Sequence, residues 1–446
     1  MLQVKLAESK KSSIALKGDR KPSNTTRSSS YKNSSKQIDI QSFDEILAIT
    51  DTYAWIEPKV TMEKLCKETL KHGLIPPVVP EFKNITAGGA VMGSGLESSS
   101  YRYGQFCDQC FEYEVLLGDG TQLTLSAAEN SDLFYGLSGS YGSLAIIVAL
   151  KIRLMPAKQA VTLTCHHFKS IPDGLEKIES LRYEHNSDFI EGIAYNPSHC
   201  VIIEGRYSDD KPNYKMSTVS SKWFYQTADE STTIIMPTFD YIFRYDLGAF
   251  WMGAYLNNLS TIRALLTKKK DPKVLAQIDK PTYPSWSFRL QFNRLLSCAN
   301  LYKALHMVSE KTLANLFVIQ DFYIPADKAF NFILPIMDIG QIWPLWLCPI
   351  KKTNKPKFLS PNFSSDHNFI NVGVYGKPQK SIGSLALTKL LEHNCDLVGG
   401  RKMLYGQTYI PEEEFWKIYD KNQYEELRKK YHAETFIPLN KKIITK

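Results

Sequence analysis

Most of the signals that assign a protein's class at a glance are missing from this 446-residue chain. No uninterrupted apolar run approaches the roughly 18 residues that a membrane-spanning helix needs. The longest, LAIIVAL at 144–150, has the length of a strand. The N-terminus lacks the basic, apolar and cleavage-site order of a secretory signal. The eight cysteines, at 66, 107, 110, 165, 200, 298, 348 and 395, follow no framework spacing, which excludes a disulfide scaffold and points to a reducing compartment. Cys107 and Cys110 form a C-x-x-C with no second pair for zinc and no thioredoxin-like frame, so both are expected to be packing residues. Charge of one sign is not concentrated either: 54 basic and 46 acidic residues are interspersed, for a net +8. A nucleic-acid binder would gather that charge into a stripe, so no nucleic-acid partner is expected. These absences leave a cytoplasmic protein, at most peripheral to a membrane.

What is present reads as an ordinary folded chain, 43% apolar and 22% charged, and long enough for two or three domains. No internal repeat is found. The first forty residues are polar and Ser/Lys/Asn-rich; residues 1–12 are expected to be disordered, while the strand-like SSIALKG and the following Ser/Thr/Arg-rich run leave a phosphate-binding loop open. TYAWIEPKV (52–60) alternates as a strand, and a helix follows, with Thr61 as its cap and Gly73 as its stop, suggesting an α/β unit. FEYEVLLGDGTQLTL (111–125) reads as a hairpin about Asp119-Gly120. A short helix, a Gly/Ser turn and a long buried strand close the first domain near Pro156. Strand-like runs then alternate with helical ones, and aromatics become dense: Trp223, Tyr225, Tyr241, Tyr245, Phe250, Trp251, Trp343 and Trp346 among them. Such density is mainly core, with room for an apolar pocket.

The stretch NITAGGAVMGSGLESSSYRYG (84–104) holds five glycines, four of them within eight residues, and three consecutive serines. Glycine lets a ligand touch the main chain, and bare N–H groups with serine hydroxyls suit phosphates. Neither familiar phosphate frame is present: there is no G-x-x-x-x-G-K-[ST] and no G-x-G-x-x-G between strand and helix.

TAGGAVMGSGLESSSYRYGQFCDQC, followed by the hairpin and by SDLFYGLSGSYGSLAIIVALKIRLMP, resembles the FAD-binding domain of the vanillyl-alcohol oxidase and p-cresol methylhydroxylase (PCMH-type) superfamily. GLESSSYRYG, IFRYDLGAFWM (242–252), VIQDFYIP (318–325), IWPLWLCPI (342–350), VGVYGKP and MLYGQTYIPEEEFW (403–416) are similar to the Δ24-sterol reductase (Diminuto) group within it. The resemblance implies an α+β protein: a PCMH-type FAD-binding domain of two α/β subdomains (1–158), an α+β substrate cap (159–360) and a C-terminal segment (361–446) packing back towards the flavin. It implies that Thr86, Gly88, Gly89, Gly93, Gly95, Ser98, Ser99 and Ser100 approach the flavin's pyrophosphate and ring. Tyr103 and Gly104 close that turn, Gly142, Ser143 and Ile146 sit by the adenosine end, and the loop between Lys17 and Lys32 holds the pyrophosphate from the other side. Residues 1–50 contain no histidine for a covalent tether, so FAD is expected to be non-covalent. NADPH is implied as electron donor, and a hydrophobic, sterol-like small molecule as substrate, with peripheral membrane contact.

Saturating an isolated alkene needs an acid, a dry pocket and surroundings tolerant of a cation. Glu97, in the flavin loop, and Tyr405, after the late Gly turn, are the candidate acids. Arg244 and Asp246 are expected to pair and order a loop. His166 and His167 are adjacent on a strand and point to opposite faces, so they cannot share a metal; no metal site is expected. Two other functions remain open: an aldonolactone or alcohol oxidase built on the same flavin domain, and a non-catalytic scaffold derived from it.

Overall fold

The hairpin about Asp119-Gly120 forms where the turn chemistry predicts it, with Gly120 at φ +92° and Leu116 opposite Gln122. It supplies one edge of a five-stranded antiparallel sheet in the order Ile46–Ile49, Tyr53–Ile56, Ile146–Arg153, Cys110–Leu116, Gln122–Ser126. The computed structural model describes residues 13–17, 23–27, 29–33, 35–216, 219–258, 280–355 and 357–445. The expectation for residues 1–12 lies outside these, as does part of the loop between Lys17 and Lys32.

The helix Met62–Leu70 starts at Thr61, whose side chain accepts from Lys64 N, and stops at Gly73 with φ +68°. It does not open a parallel unit. Only three residues separate it from Leu74–Ile75, a two-residue strand that pairs antiparallel with Met155–Pro156. Among the described strands, the one parallel pair joins Ile14–Leu16 to Lys36–Ile38.

Every pairing in the second, eight-stranded sheet is antiparallel. Its order is Thr233–Pro237, Ala160–Phe168, His199–Ser208, Phe189–Asn196, Leu345–Ile350, Phe369–Gly376, Val318–Pro325, Arg401–Lys402. The point near residue 360 therefore falls between two neighbouring strands of one sheet. After Arg401–Lys402 the chain returns to the first sheet: Phe436 bridges Ile14 and packs with Ile38, Leu116 and Ile146. With mixed helices and antiparallel sheets, the protein is α+β.

The dense aromatics are core. Trp223, Trp251, Trp346, Tyr225, Tyr241 and Tyr245 are fully buried, and Tyr245 stacks on Phe250 at 4.1 Å. IWPLWLCPI does not line a pocket: every residue of Leu345–Ile350 is buried inside the sheet.

Arg244 and Asp246 do not pair. Arg244 turns inward and donates to Glu97 Oε1 at 2.6 Å and to Glu191 Oε1 at 2.8 Å. Asp246 turns the other way and accepts from Lys83 N at 3.0 Å. The helical turn that carries both residues points them apart, and a fully buried guanidinium needs carboxylates from elsewhere. Burial pushes the Asp246 carboxyl up to about 6, despite the nearby Lys83 charge. A carboxyl raised in the folded state adds stability that is full below its unfolded pKa and is lost as pH rises through 6. Asp246→Asn keeps the acceptor for Lys83 N and removes that loss. It is expected to stabilise the protein by about 3 kcal/mol at pH 7.5 and by little at pH 4, as urea denaturation at the two pH values will read.

Candidate functional site

The glycine stretch is more helical than its composition predicts. Ala87–Met92 forms a short helix whose N-cap, Thr86, accepts from Gly89 N at 3.3 Å. The glycines there divide by what a side chain would meet. A Cβ at Gly88 would lie 2.8 Å from Pro58 Cβ, at Gly95 2.8 Å from Pro80 Cγ, and at Gly104 2.5 Å from Asp108 Oδ2. These three let protein backbone pack closely. Gly93 is similar, its space closed by Gly89 O at 2.9 Å. Gly89 and Gly142 differ. Gly89 is exposed, and its Cβ would meet only Thr86 Oγ1 within 4 Å; at Gly142, with φ +71°, only Met92 Sδ and Lys442 Nζ come as near as 3.7–3.8 Å.

The serines face inward. Ser98 Oγ lies 3.0 Å from Tyr241 Oη, and Ser100 Oγ accepts from Glu97 N at 2.9 Å; both residues are fully buried, as is Ser99. Tyr103 is half-buried in the turn that follows. Ser143 is buried with its carbonyl accepting from Arg428 at 2.7 Å, and Ile146 begins the central strand beside Leu116.

Around the Gly142 turn, distant segments bring positive charge together. Lys442 Nζ donates to the carbonyls of Tyr141 at 3.0 Å and Gly142 at 2.8 Å. Arg27, from the early loop, donates to Lys442 O at 2.8 Å and Leu404 O at 3.1 Å, and lies over the Tyr141 ring. Burial, then Arg27, Lys32 and Arg428, push the Lys442 ammonium well below its ordinary range. Among the described residues no carboxylate forms an ion pair with any of these four. A buried cluster of cations without counter-charge, beside two glycines with open space, suits a diphosphate.

Beside this cluster, Thr26 N donates to Tyr405 O at 3.1 Å. Tyr405 Oη donates to Asp321 Oδ2 at 2.7 Å, and Asp321 Oδ1 accepts from Tyr375 at 2.7 Å and Asn371 at 2.6 Å. Burial holds the Asp321 carboxyl above its usual range despite these donors. Glu81 lies within electrostatic reach of Asp321, Glu97 and Arg244; burial first and the Glu97 charge second raise its carboxyl well above the carboxylate range. No side chain among the described residues donates to it, and it remains partly accessible. Glu97 is fully enclosed, with Oε1 accepting from Arg244 and from Ser98 N, and burial the main influence on its raised pKa.

Comparison with known proteins bears on this cleft. A family model described as an FAD binding domain matches residues 3–126. The Delta(24)-sterol reductase of Rattus norvegicus is 28% identical over 424 residues, covering 92% of this chain and 77% of the relative. The Homo sapiens protein of that name is 29% identical with the same coverage, and the Arabidopsis thaliana one is 28% identical over 89% of this chain and 74% of its own. Similarity therefore runs far beyond the FAD binding domain and through the eight-stranded sheet.

Asp321, Glu81 and Lys442 were not singled out from sequence. Asp321 sits in VIQDFYIP, where a charge inside an apolar strand was a usable signal; Glu81, between Pro80 and Phe82, gave none.

Two expectations follow for the FAD binding domain. Gly89→Val, which crowds only Thr86, should yield folded, colourless protein; a retained yellow colour would remove Gly89 from the cofactor site. Lys442→Met should weaken FAD retention by about 10- to 100-fold, the scale of a charge-assisted contact. The same variant should raise the melting temperature of the FAD-free protein, because it deletes a buried, unpaired cation.

Proposed function

We propose that this FAD-dependent oxidoreductase reduces the side-chain C24=C25 double bond of a sterol, or a similar isoprenoid alkene. The observation that carries this reading is the extent of the similarity to Delta(24)-sterol reductases, which covers 92% of the chain rather than its flavin part alone. Arg27, Lys32, Arg428 and Lys442 would hold the FAD pyrophosphate, with Gly89 and Gly142 admitting it to the main chain, non-covalently. Reduced FAD, when bound, supplies the hydride that completes saturation at C25.

The chain's own task is the proton. Glu97 is tied to Arg244 inside the protein, and Tyr405 spends its proton on Asp321; burial and that carboxylate push its phenol well above its ordinary value. Glu81 is the better acid. Burial, then the Glu97 charge, raise its carboxyl well above the carboxylate range, which favours the protonated form, and no side chain among the described residues donates to it. Transfer from Glu81 to C24 leaves positive charge on tertiary C25. Tyr302, Tyr375 and Tyr405, all within electrostatic reach of Glu81, offer π faces that tolerate it. Tyr405, braced by Asp321, positions the alkene. NADPH is the proposed electron donor.

A sterol has to arrive from a membrane. No helix among the described residues is long and apolar enough to cross one. The helices Trp286–Phe292 and Cys298–His306 have two sides, however. Inward, Tyr302 packs on Phe82 and His306 Nε2 contacts Thr25 O at 3.0 Å, beside the cleft. Outward, Trp286, Leu290, Leu295 and Met307 are exposed. We propose this face for peripheral lipid contact.

The purified protein should be yellow, release its flavin on acid denaturation, bleach with NADPH under anaerobic conditions and recolour with desmosterol, a Δ24 sterol. Yellow protein that ignores both reagents would shift the function to an alcohol or aldonolactone oxidase; colourless protein that cannot be reconstituted would support the non-catalytic scaffold. Glu81→Gln should lose about 10²- to 10⁴-fold in alkene reduction, the scale of general acid catalysis, while its flavin still bleaches with NADPH. Wild-type turnover should fall as pH rises through the Glu81 pKa, and that fall should vanish in Glu81→Gln.

A further inference from the structure

His166 and His167 do face apart, and each finds a partner on its own side of the sheet. His166 Nε2 lies 3.4 Å from Glu204 Oε2. On the other side His167 stands opposite Val201, so His199, two residues before Val201, projects from the same face. The helix Phe224–Glu230 supplies Asp229 over that face. One nitrogen from each imidazole and one Asp229 oxygen lie within 4.8 Å of one another, and His199 Nε2 already contacts Asp229 Oδ1.

We infer that His167, His199 and Asp229 form a site for a zinc-like divalent cation, separate from the flavin cleft. Two imidazoles and a carboxylate from three different elements are a zinc donor set, and the half-exposed position leaves the fourth place to water. Two of the three donors, His167 and Asp229, are held by a further hydrogen bond of the kind that orients metal ligands, and the third packs against an aromatic ring. Ser231 O accepts from His167 Nε2 at 3.0 Å, Tyr283 Oη donates to Asp229 Oδ2, and the Tyr195 ring lies 5.2 Å from that of His199. Ligand atoms in a tetrahedral zinc shell are roughly 3.3 Å apart given bonds of ~2.0–2.1 Å, so closure needs side-chain shifts of about 1 Å. The cation would pin the helix Phe224–Glu230, and with it the Trp223–Tyr225 corner of the core, to the end of the sheet.

The test uses the full chain, stripped with a chelator and titrated with zinc chloride. Wild type should take up about one equivalent per chain, and cobalt(II) should give a visible absorption band that zinc abolishes. His199→Ala and Asp229→Asn should each weaken uptake at least tenfold, and Tyr283→Phe by about 10- to 100-fold as for other supporting contacts. His166→Ala, on the opposite face, should bind like wild type, and flavin content reports whether each variant has folded. Failure of wild type to take up zinc stoichiometrically, or equal uptake by wild type and folded Asp229→Asn, overturns the inference.

Discussion

The middle of this protein is organised by one buried cation. Arg244 has no exposure to solvent, and a guanidinium in that position is tolerable only with counter-charge and full hydrogen bonding. Glu97 comes from the glycine stretch and Glu191 from the eight-stranded sheet; Tyr245 Oη and Trp346 Nε1 then donate to Glu191 Oε2 at 2.9 and 2.8 Å. The rings of Tyr241, Tyr245 and Phe224 surround the guanidinium at 4.3, 4.7 and 5.4 Å. Removing one partner of such a set leaves an uncompensated charge, at a cost of about 3–5 kcal/mol. Arg244 thus ties the glycine stretch to the large sheet, alongside the backbone bond from Ile190 N to Ser98 O at 3.0 Å. The Glu97 charge that Arg244 stabilises also acts on Glu81, whose carboxyl it raises, second to burial.

A second constraint is the reverse case, charge left without a partner. Arg27 and Lys442 come from opposite ends of the described chain, and Arg428 from the helix Lys421–Lys430. The fold gathers them at one turn because the C-terminal segment returns to the first sheet, where Phe436 meets Ile14 and Thr445 N reaches Thr408 O at 2.8 Å. Like charges at such a place oppose folding unless an anion joins them. A dinucleotide bound there would supply that anion, so that cofactor binding and the closure of the two chain ends would support each other.

Local features were legible in the sequence, and contacts between distant segments were not. The Asp-Gly hairpin, the Thr61 cap, the Gly73 stop and the strand AVTLTCHHF each follow from chemistry confined to a few neighbours. The glycine run was legible as a place of close approach, but not which glycines face protein and which face open space: Gly88 and Gly95 are small because Pro58 and Pro80 crowd them, and those prolines are assigned to them only by the fold. Arg244 and Asp246 looked like partners through proximity alone. Their true neighbours, Glu97, Glu191 and Lys83, lie between 53 and 163 residues away. The apolar run IWPLWLCPI is ambiguous in the sequence, since a buried central strand and a hydrophobic pocket wall have the same composition.

That last ambiguity bears on substrate choice. With Leu345–Ile350 committed to the core, apolar composition in the large sheet does not distinguish a sterol cap from the cap of a polar-substrate oxidase. The distinguishing features lie in the few polar groups that remain in the cleft. A polyol or lactone would need paired donors and acceptors to meet its hydroxyls. Here Asp321 accepts from Tyr375, Asn371 and Tyr405, and Glu97 Oε1 is held by Arg244, whereas no side chain among the described residues donates to Glu81. A carboxyl that no described side chain donates to, within electrostatic reach of three phenol rings, would suit a substrate that offers a double bond and no hydrogen-bonding group at its reacting end.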